Sequence, residues 1–352
     1  MAAGYEVVLL TRVARHRKMI EDAGIRLIAL PWRRRGFGLW REARALWLIW
    51  RTYRKERPAL VHHVALKPVF YGSLAATLAR VPRVVNAVAG FGFVFVSDRA
   101  LARWLRPLLR LALRSALCGV STRALVQNPD DRRLLEGLGV SEPNVVQISG
   151  SGIDHRSYVP CAEAAGPIVV AMVSRMLWDK GVGELVESAR ELRARGVEVT
   201  VRLCGGAGDD NPASIDEATL REWERSGLVE WVGFQEDIQA VWRSAHIAVL
   251  PSYREGLPRA LLEAAACGRP MIATDVPGCR EIVRHEETGL LVPARDPHAL
   301  AEAIERLVRD EAARVRFGRT AREMVEEQFS EAAVLEQHVI LYRGLIGQAR
   351  DG

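Results

Sequence analysis

The sequence predicts two α/β domains, each built on a parallel β-sheet. Short apolar, β-branched runs alternate with helical stretches in both halves, which is the βα rhythm of a parallel sheet. The 352 residues exceed one ordinary core, and an irregular stretch rich in glycine and proline over 152–166 marks the linker. We therefore predict one domain over 1–158, a second over 159–330, and a C-terminal helix over 331–352 as a candidate to pack back on the first domain.

The first half begins with an incomplete βα unit. A parallel βαβ unit would place a strand and a phosphate-facing loop before the first apolar run, so we expect that the chain lacks its first strand. Apolar runs predict strands, and helix formers ended by proline or glycine predict helices. The predicted strands are 6–11, 25–30, 59–64 and 83–88, and the predicted helices are 40–57, 68–80 and 101–117.

The second half repeats the pattern with more strands. A parallel sheet of this kind binds ligands at the carboxyl ends of its strands, and two such domains are expected to face each other across a cleft. The predicted strands are 168–173, 198–203, 229–232, 245–250, 271–274 and 289–292, and the predicted helices are 182–195, 259–267, 297–309 and 331–345.

Charge is divided unequally along the chain. Residues 1–150 hold 25 basic and 10 acidic side chains, a net charge of +15, whereas the remainder has a net charge of −9. This polarity indicates an anionic partner for the first half: a phosphorylated ligand, an acidic lipid surface or a nucleic acid. Nucleic acid is disfavoured because no recognised binding motif accompanies the charge.

The predicted helix over 40–57 is the strongest membrane signal. It combines three tryptophans with five basic side chains, a mixture that suits a membrane interface. The alternative is an ordinary packed helix with a solvated basic face. The longest uncharged run, over 84–97, is too short to cross a bilayer, so we expect contact with a membrane surface without crossing. The residues concerned are Trp40, Trp47, Trp50, Arg41, Arg44, Arg51, Arg54 and Lys55.

The cysteine spacing and the absence of metal-binding motifs argue against two kinds of protein: one stabilised by disulfides and one built around a metal site. The five cysteines are scattered without a CxxC pair, which indicates free thiols in a reducing compartment. The sequence has no Asp-x-Asp, HExxH or Cys/His cluster, so no metal site is expected.

The most informative motif is Ser252-Tyr-Arg-Glu-Gly-Leu-Pro-Arg-Ala-Leu-Leu-Glu263. It follows a predicted strand, and Gly256 and Pro258 favour a tight turn into a helix. Glu255 then lies in the loop at the carboxyl end of the strand and Glu263 lies in the helix. Two acceptor-only carboxylates there suit a polyol at one end and a ribose at the other. The alternative is a solvated loop charge and an outward helix residue.

A second motif, Ser174-Arg-Met-Leu-Trp-Asp-Lys-Gly181, also joins a strand to a helix. Arg175 offers a planar fork for phosphate oxygens and Lys180 a compact charge, which together predict a diphosphate clamp. The alternative is a pair of surface charges. Gly205-Gly206-Ala-Gly208, after another strand, permits close backbone approach to a nucleotide, although loops often have this composition.

Two histidines end a strand of the first half. His62 and His63 precede Lys67, and a catalytic or acceptor-contacting role is one hypothesis for His63. A structural role is the other, since strand-end histidines are often structural.

Taken together, Arg175 with Lys180, Leu250-Pro-Ser-Tyr-Arg-Glu-Gly-Leu-Pro-Arg-Ala-Leu-Leu-Glu-Ala264 and Gly289-Leu-Leu-Val292 resemble the retaining glycosyltransferases of family four, which have the GT-B fold. The runs over 61–76 and 86–95 resemble the branch that makes capsule, O-antigen and undecaprenyl-diphosphate-linked glycans. That branch includes the diacetylbacillosaminyl-diphosphoundecaprenol N-acetylgalactosaminyltransferases.

The resemblance implies a role for each motif. Arg175 and Lys180 would hold the diphosphate of a UDP-linked hexose or N-acetylhexosamine donor, and Glu263 would bind its ribose. Glu255 would accept hydrogen bonds from the donor sugar. Backbone N–H groups near Gly256 and Leu257 would contact sugar or phosphate, and residues around Gly205, Gly206 and Val232 would frame the base. Such enzymes need no metal and no cofactor beyond the nucleotide sugar.

The acceptor implied is a lipid-linked saccharide, met by a peripheral protein on the inner, cytoplasmic face of the cytoplasmic membrane. Besides the missing first strand, this chain differs from the family in a second place. Many relatives carry a histidine after the strand at 83–88, where this chain reads Val88-Ala89-Gly90. Two other functions stay open: a GT-B nucleotide-sugar epimerase or phosphorylase, and an inactive membrane-binding relic.

Overall fold

The protein, a computed structural model, is described over residues 3–13, 17–31, 38–88, 110–119, 121–207 and 211–347. It divides into two compact units. Unit 1 comprises Met1–Val126, Arg132–Gln147 and Gln337–Gly352, and unit 2 comprises Gln127–Asp131 and Ile148–Glu336. The long continuous segment of unit 2 therefore begins after residue 147, whereas the sequence predicted the domain boundary after residue 158.

Unit 1 is a parallel α/β unit with two sheets. Strands β1 and β2 pair in parallel, and β3 to β6 form a second parallel sheet in sequence order. The strands are β1 (Val8–Thr11), β2 (Arg26–Ala29), β3 (Val61–Val64), β4 (Val84–Ala87), β5 (Thr122–Val126) and β6 (Val145–Gln147). The helices are α1 (Arg17–Asp22), α2 (Leu39–Glu56), α3 (Leu66–Ala79) and α4 (Pro129–Gly137), of which α4 belongs to unit 1 from Arg132 onward. Of the helix predicted over 101–117, residues 110–117 are helical and the rest lie outside the described residues.

Helix α2 packs on α3 through one face. Ala45, Ile49 and Tyr53 are buried at a spacing of four residues, which is the spacing of one side of an α-helix. Ile49 and Tyr53 join an apolar cluster with Val61 of β3 and Ala75 of α3. The basic residues of α2 are thereby left on its other side.

Unit 2 has one six-stranded parallel sheet with the order β12-β11-β10-β7-β8-β9. The order reverses between β7 and β10, which are neighbours in the sheet although three strands apart in the chain. The strands are β7 (Val169–Val173), β8 (Thr200–Cys204), β9 (Glu230–Gly233), β10 (Ile247–Leu250), β11 (Met271–Thr274) and β12 (Gly289–Val292). This is the doubly wound arrangement in which ligands bind where the strand order reverses.

The helices of unit 2 cover its sheet and enclose a single continuous core. They are α5 (Val182–Ala194), α6 (Glu217–Arg225), α7 (Ile238–Ser244), α8 (Arg259–Ala266), α9 (Cys279–Ile282), α10 (Pro297–Arg309), α11 (Glu311–Gln328) and α12 (Glu331–Gly347). From Gln337 onward, α12 belongs to unit 1. The predicted parallel α/β architecture is confirmed, but the sequence missed two strands, β5 and β6, and six helices, α1, α4, α6, α7, α9 and α11.

The stretch predicted as a linker is anchored in unit 2. The buried Arg269 donates to Cys161 Sγ at 2.8 Å, and the nearly buried Arg314 makes a bidentate pair with Glu163 at 2.8 Å for each bond. The His246 ring bonds the carbonyl of Ala164 at 2.9 Å. The glycines and prolines of this stretch correctly indicated an irregular backbone. Its position is fixed by the three side chains just named, which are distant from it in sequence.

Within unit 1, α12 contacts the strand that carries the two histidines. His62 Nδ1 and the Tyr342 hydroxyl are 2.6 Å apart, and the His338 ring stacks on the His62 ring at 6.1 Å between centroids. Burial, and then the neighbouring His338 and His63, lower the pKa of His62 to about 4. The folded protein therefore holds His62 neutral over most of the acid range.

This depressed pKa predicts acid sensitivity. Because the unfolded chain protonates His62 below a pKa of about 6.5 and the folded chain does not, stability present above pH 6.5 is lost as the pH falls toward 4, by about 3 kcal/mol in total. Urea unfolding between pH 7 and pH 4, followed by circular dichroism, measures the loss. The His62→Gln variant should lose less stability over the same interval, and equal losses in both proteins would contradict the assignment.

Candidate active site

The candidate site lies at the carboxyl ends of β7 and β10. The loop after β7 contains Arg175 and a single 3-10 turn, Trp178–Lys180, and the loop after β10 contains Glu255. Because these two parallel strands are neighbours, the two loops emerge side by side at one edge of the sheet.

Lys180 and Glu255 are in direct contact. Lys180 Nζ lies 2.5 Å from Glu255 Oε1, and both side chains are largely buried. Ser252 Oγ donates to the same oxygen at 2.7 Å. Among the described residues, Glu255 Oε2 has no hydrogen-bond partner, so the carboxylate keeps an oxygen that a hydroxyl of a ligand can bond.

The close approach of these loops depends on Gly181. Its φ is +73°, and a Cβ there would lie 2.1 Å from the carbonyl oxygen of Pro251. A side chain would therefore push apart the two segments that carry Lys180 and Glu255. The Tyr253 N–H donates to the Asp179 carbonyl at 3.0 Å and joins the same segments.

The backbone around Gly256 is fixed from two sides. Glu255 N donates to the Pro277 carbonyl at 3.3 Å, and Asn128 Nδ2 donates to the Gly256 carbonyl at 2.9 Å. In the described part of the chain, the N–H groups of Gly256 and Leu257 have no acceptor. They are therefore available to oxygen atoms of a ligand, and their contact with sugar or phosphate stays a prediction.

Arg175 differs from Lys180 in its surroundings. Its side chain is exposed, and its guanidinium pairs with no group among the described residues. An uncompensated cation at this edge attracts anions, and its planar fork fits two phosphate oxygens.

Glu263 is a buried carboxylate one helix turn beyond Arg259. Arg259 Nε donates to Glu263 Oε1 at 2.8 Å, and the Tyr158 hydroxyl lies beside the same carboxylate and the same guanidinium. The sequence alternative of an outward helix residue is wrong, because Glu263 is only 7% exposed. Its role toward ribose stays a prediction.

The predicted base-framing residues end neighbouring strands. Gly205 is buried, and its N–H donates to the Gly233 carbonyl at 2.8 Å. Gly206 is exposed with open space beside it, and Val232 at the end of β9 is half-buried. The remaining glycine of the motif, at 208, lies outside the described residues. A nucleotide-binding role for these positions stays a prediction.

His63 lies away from solvent in unit 1, and both of its ring nitrogens are engaged. Nδ1 is 2.7 Å from Asn86 Oδ1 and Nε2 is 2.9 Å from the Tyr53 hydroxyl. Asn86 Nδ2 donates to Ser73 Oγ and to the Ala116 carbonyl, so Asn86 Oδ1 faces His63 as an acceptor and Nδ1 carries the proton. The structure therefore favours the structural interpretation of His63 over the catalytic one.

This network predicts a stability effect for Tyr53→Phe. The change leaves Nε2 of a buried histidine without a donor, which should lower the free energy of unfolding by about 1–3 kcal/mol. Urea unfolding measures the effect. The Tyr5→Phe control, whose hydroxyl has no hydrogen-bond partner in the described chain, should be neutral. Unchanged stability in Tyr53→Phe, with lost activity, would restore a catalytic role for His63.

The exposed side of α2 forms a second surface of interest, which we call the Trp–Arg face. Trp40 is 90% exposed and Trp47 is 49% exposed, and the Arg51 guanidinium lies 5.1 Å from the Trp47 ring centroid. Exposed apolar side chains that share one surface patch rimmed by polar residues can mark an interaction site. The members are Trp40, Arg44, Trp47, Arg51 and Arg54, at helical spacings of three and four residues.

Within the described ranges, no helix combines the length and the apolar composition that crossing a bilayer requires. The same residues contain no group of three or more His, Cys, Asp or Glu side chains placed to hold a metal ion.

Comparison with known families agrees with this geometry. Residues 167–310 match the family described as "Glycosyl transferases group 1", and residues 1–150 match the "Glycosyl transferase 4-like domain". The chain therefore contains a group 1 glycosyltransferase domain and a glycosyltransferase 4-like domain. The family resemblance and the GT-B fold predicted from the sequence are both confirmed.

One curated relative is similar over almost the whole chain. It is the N,N'-diacetylbacillosaminyl-diphospho-undecaprenol alpha-1,3-N-acetylgalactosaminyltransferase of Campylobacter jejuni, with 26% identity over 97% of this chain and 92% of the relative. The name of that protein describes a lipid-linked saccharide as its acceptor.

Two solved structures share the fold. Sucrose-phosphate synthase from Thermosynechococcus elongatus has a TM-score of 0.81 at 24% identity, covering 99% of this chain and 90% of that one. HepE from Anabaena, solved with UDP-glucose, has a TM-score of 0.79 at 18% identity, covering 97% and 93% of the two chains.

The sequence did not predict Ser252, Arg259 or Tyr158 as neighbours of the key carboxylates. The spacing of Arg259 and Glu263, four residues on a helix, is a signal that could have been used. Nothing in the sequence indicated that Tyr158 lies near Glu263, because 105 positions separate the two residues and we predicted Tyr158 to belong to the first domain.

Proposed function

We propose that this glycosyltransferase moves a hexose or N-acetylhexosamine from a UDP-linked donor to a lipid-linked saccharide, with retention of the anomeric configuration. The observation that carries the proposal is the Lys180–Glu255 pair at the strand-order reversal, beside the uncompensated Arg175. A cation next to a sugar-binding carboxylate is what a nucleotide sugar requires, since its diphosphate and its sugar are adjacent.

Each group then has one task in the reaction. Arg175 and Lys180 hold the diphosphate and take up the negative charge that develops as the bond from the anomeric carbon to the phosphate oxygen breaks. Glu255 accepts hydrogen bonds from the donor sugar, and Glu263 accepts them from the ribose. Because the two cations stabilise the leaving group, we propose that no metal ion is needed.

Retention follows if the acceptor hydroxyl attacks from the face that the diphosphate leaves. A new bond forms between the acceptor oxygen and the anomeric carbon, and the acceptor proton passes to an oxygen of the departing diphosphate. No protein group is required as the base in this scheme, which is consistent with the engaged nitrogens of His63.

A transfer assay tests this proposal. Radiolabelled UDP-hexoses and UDP-N-acetylhexosamines are offered with undecaprenyl-diphosphate-linked sugars, and the product anomer is assigned by NMR. Lys180→Met and Glu255→Gln should each lower kcat/KM by roughly 10²–10³-fold, and EDTA should leave the rate unchanged. The matched control Glu305→Gln, which removes an ion pair with Arg195 away from the loops, should keep full activity.

Three results would contradict the proposal. Inverted product would exclude retention, and loss of activity in EDTA would exclude metal independence. Sugar epimerisation without acceptor, or phosphate-dependent release of sugar phosphate, would favour the epimerase or phosphorylase alternative.

We further propose that the Trp–Arg face meets an anionic membrane surface, which brings the protein to its lipid-linked acceptor. Unit 1 contains most of the basic excess, and this face presents tryptophan rings and guanidinium groups together. Indole rings favour the interfacial layer of a bilayer, and each basic side chain near anionic lipid adds about 1 kcal/mol.

Vesicle binding tests the membrane proposal. Trp40→Ala combined with Trp47→Ala should weaken binding to phosphatidylglycerol vesicles by roughly tenfold or more, because the apolar area buried in the interface is lost. The control is Trp178→Ala, which removes a similarly exposed tryptophan of unit 2. Equal binding of all three proteins, or equal binding to phosphatidylcholine vesicles, would contradict the proposal.

A further inference from the structure

Glu263 is a buried carboxylate whose surroundings contain two donors. Burying an ionised carboxylate is unfavourable unless hydrogen bonds and a countercharge compensate. Arg259 supplies the countercharge and a hydrogen bond through Nε at 2.8 Å, and the Tyr158 hydroxyl lies beside the carboxylate as a second donor. A carboxylate has about four acceptor sites, so two donors leave about two sites for further hydrogen bonds.

Arg259 reaches Glu263 from the preceding turn of α8. Its side chain is 60% exposed, whereas that of Glu263 is 10% exposed. Arg259 therefore joins the solvent-exposed side of α8 to a buried carboxylate. Its bond from Nε holds Glu263 Oε1 and supplies a positive charge beside it.

A separate set of hydrogen bonds positions the backbone segment of Tyr158. Arg322 of α11 donates through Nη1 to the carbonyls of His155 at 2.9 Å, of Tyr158 at 2.6 Å and of Ala266 at 2.5 Å. Ala266 is the last residue of α8, the helix that carries Glu263. One guanidinium group, largely shielded from solvent, therefore ties the segment of Tyr158 to the helix of Glu263.

The Tyr158 hydroxyl stays a donor at all ordinary pH values. Burial, and then the Glu263 carboxylate, raise the pKa of Tyr158 to about 12.

We propose that Tyr158 and Arg259 are positioning residues that hold the Glu263 carboxylate for the vicinal hydroxyls of the donor's ribose. This inference rests on the proposed function, in which Glu263 binds that ribose. Two fixed donors leave about two acceptor sites, and a cis-diol offers two donor hydroxyls. The pocket of Glu263 is thereby specific for a ribonucleotide over its deoxy analogues.

Calorimetric binding of UDP and of 2′,3′-dideoxy-UDP tests the inference. The wild-type protein should bind UDP at least tenfold more tightly. Tyr158→Phe and Arg259→Gln should each lower the affinity for UDP by about five- to tenfold and leave that for dideoxy-UDP within twofold. Arg259→Lys, which keeps the charge and one donor, should recover part of the loss. In turnover, the donor KM should rise while kcat stays within about twofold.

The matched control is Arg309→Gln, which removes an exposed arginine from a pair with a glutamate four residues away in the same unit. It should change neither affinity. If Tyr158→Phe and Arg259→Gln weaken both ligands equally, or weaken neither, the residues serve only the fold and the inference is overturned. If the wild-type protein binds both ligands equally, or neither, the ribose role of Glu263 fails, and the inference fails with it.

Discussion

The contact between Lys180 and Glu255 is the interaction on which the donor site depends. It joins two loops that are 75 positions apart in sequence and that emerge from neighbouring strands where the sheet order reverses. A largely buried ion pair of this kind gains little net stability, because desolvation offsets much of the attraction. The contact matters because it positions the groups of the site: it holds Lys180, a cation for phosphate, beside Glu255, a carboxylate for sugar.

Backbone packing makes that contact possible. Gly181 lets the carbonyl of Pro251 approach the turn of Lys180, and the carbonyl of Pro277 and the amide of Asn128 fix the loop of Glu255 from the other side. The site is therefore held by the sheet edge as a whole. Loop positions fixed in this way keep charged groups oriented before a substrate arrives, which is the condition for electrostatic stabilisation of a leaving group.

Local patterns predicted much of this arrangement, and distant contacts did not follow from them. The strands of unit 2 were predictable because buried parallel strands are continuous apolar runs. Helix α11 was missed because its buried positions include small residues such as Ala313, Gly318 and Ala321, which do not form an evident apolar stripe. The carboxylates were found from their spacing, but neither the bond from Lys180 to Glu255 nor the position of Tyr158 beside Glu263 has a signature in the sequence.

A structure of the protein with UDP bound would test the central claim most directly. The account predicts the diphosphate within hydrogen-bond distance of Lys180 Nζ and the Arg175 guanidinium, and the ribose hydroxyls within that distance of the Glu263 carboxylate. Glu255 should keep an oxygen directed at the space beyond the second phosphate. UDP bound elsewhere, with Lys180 still paired only to Glu255 and Glu263 untouched, would contradict the account.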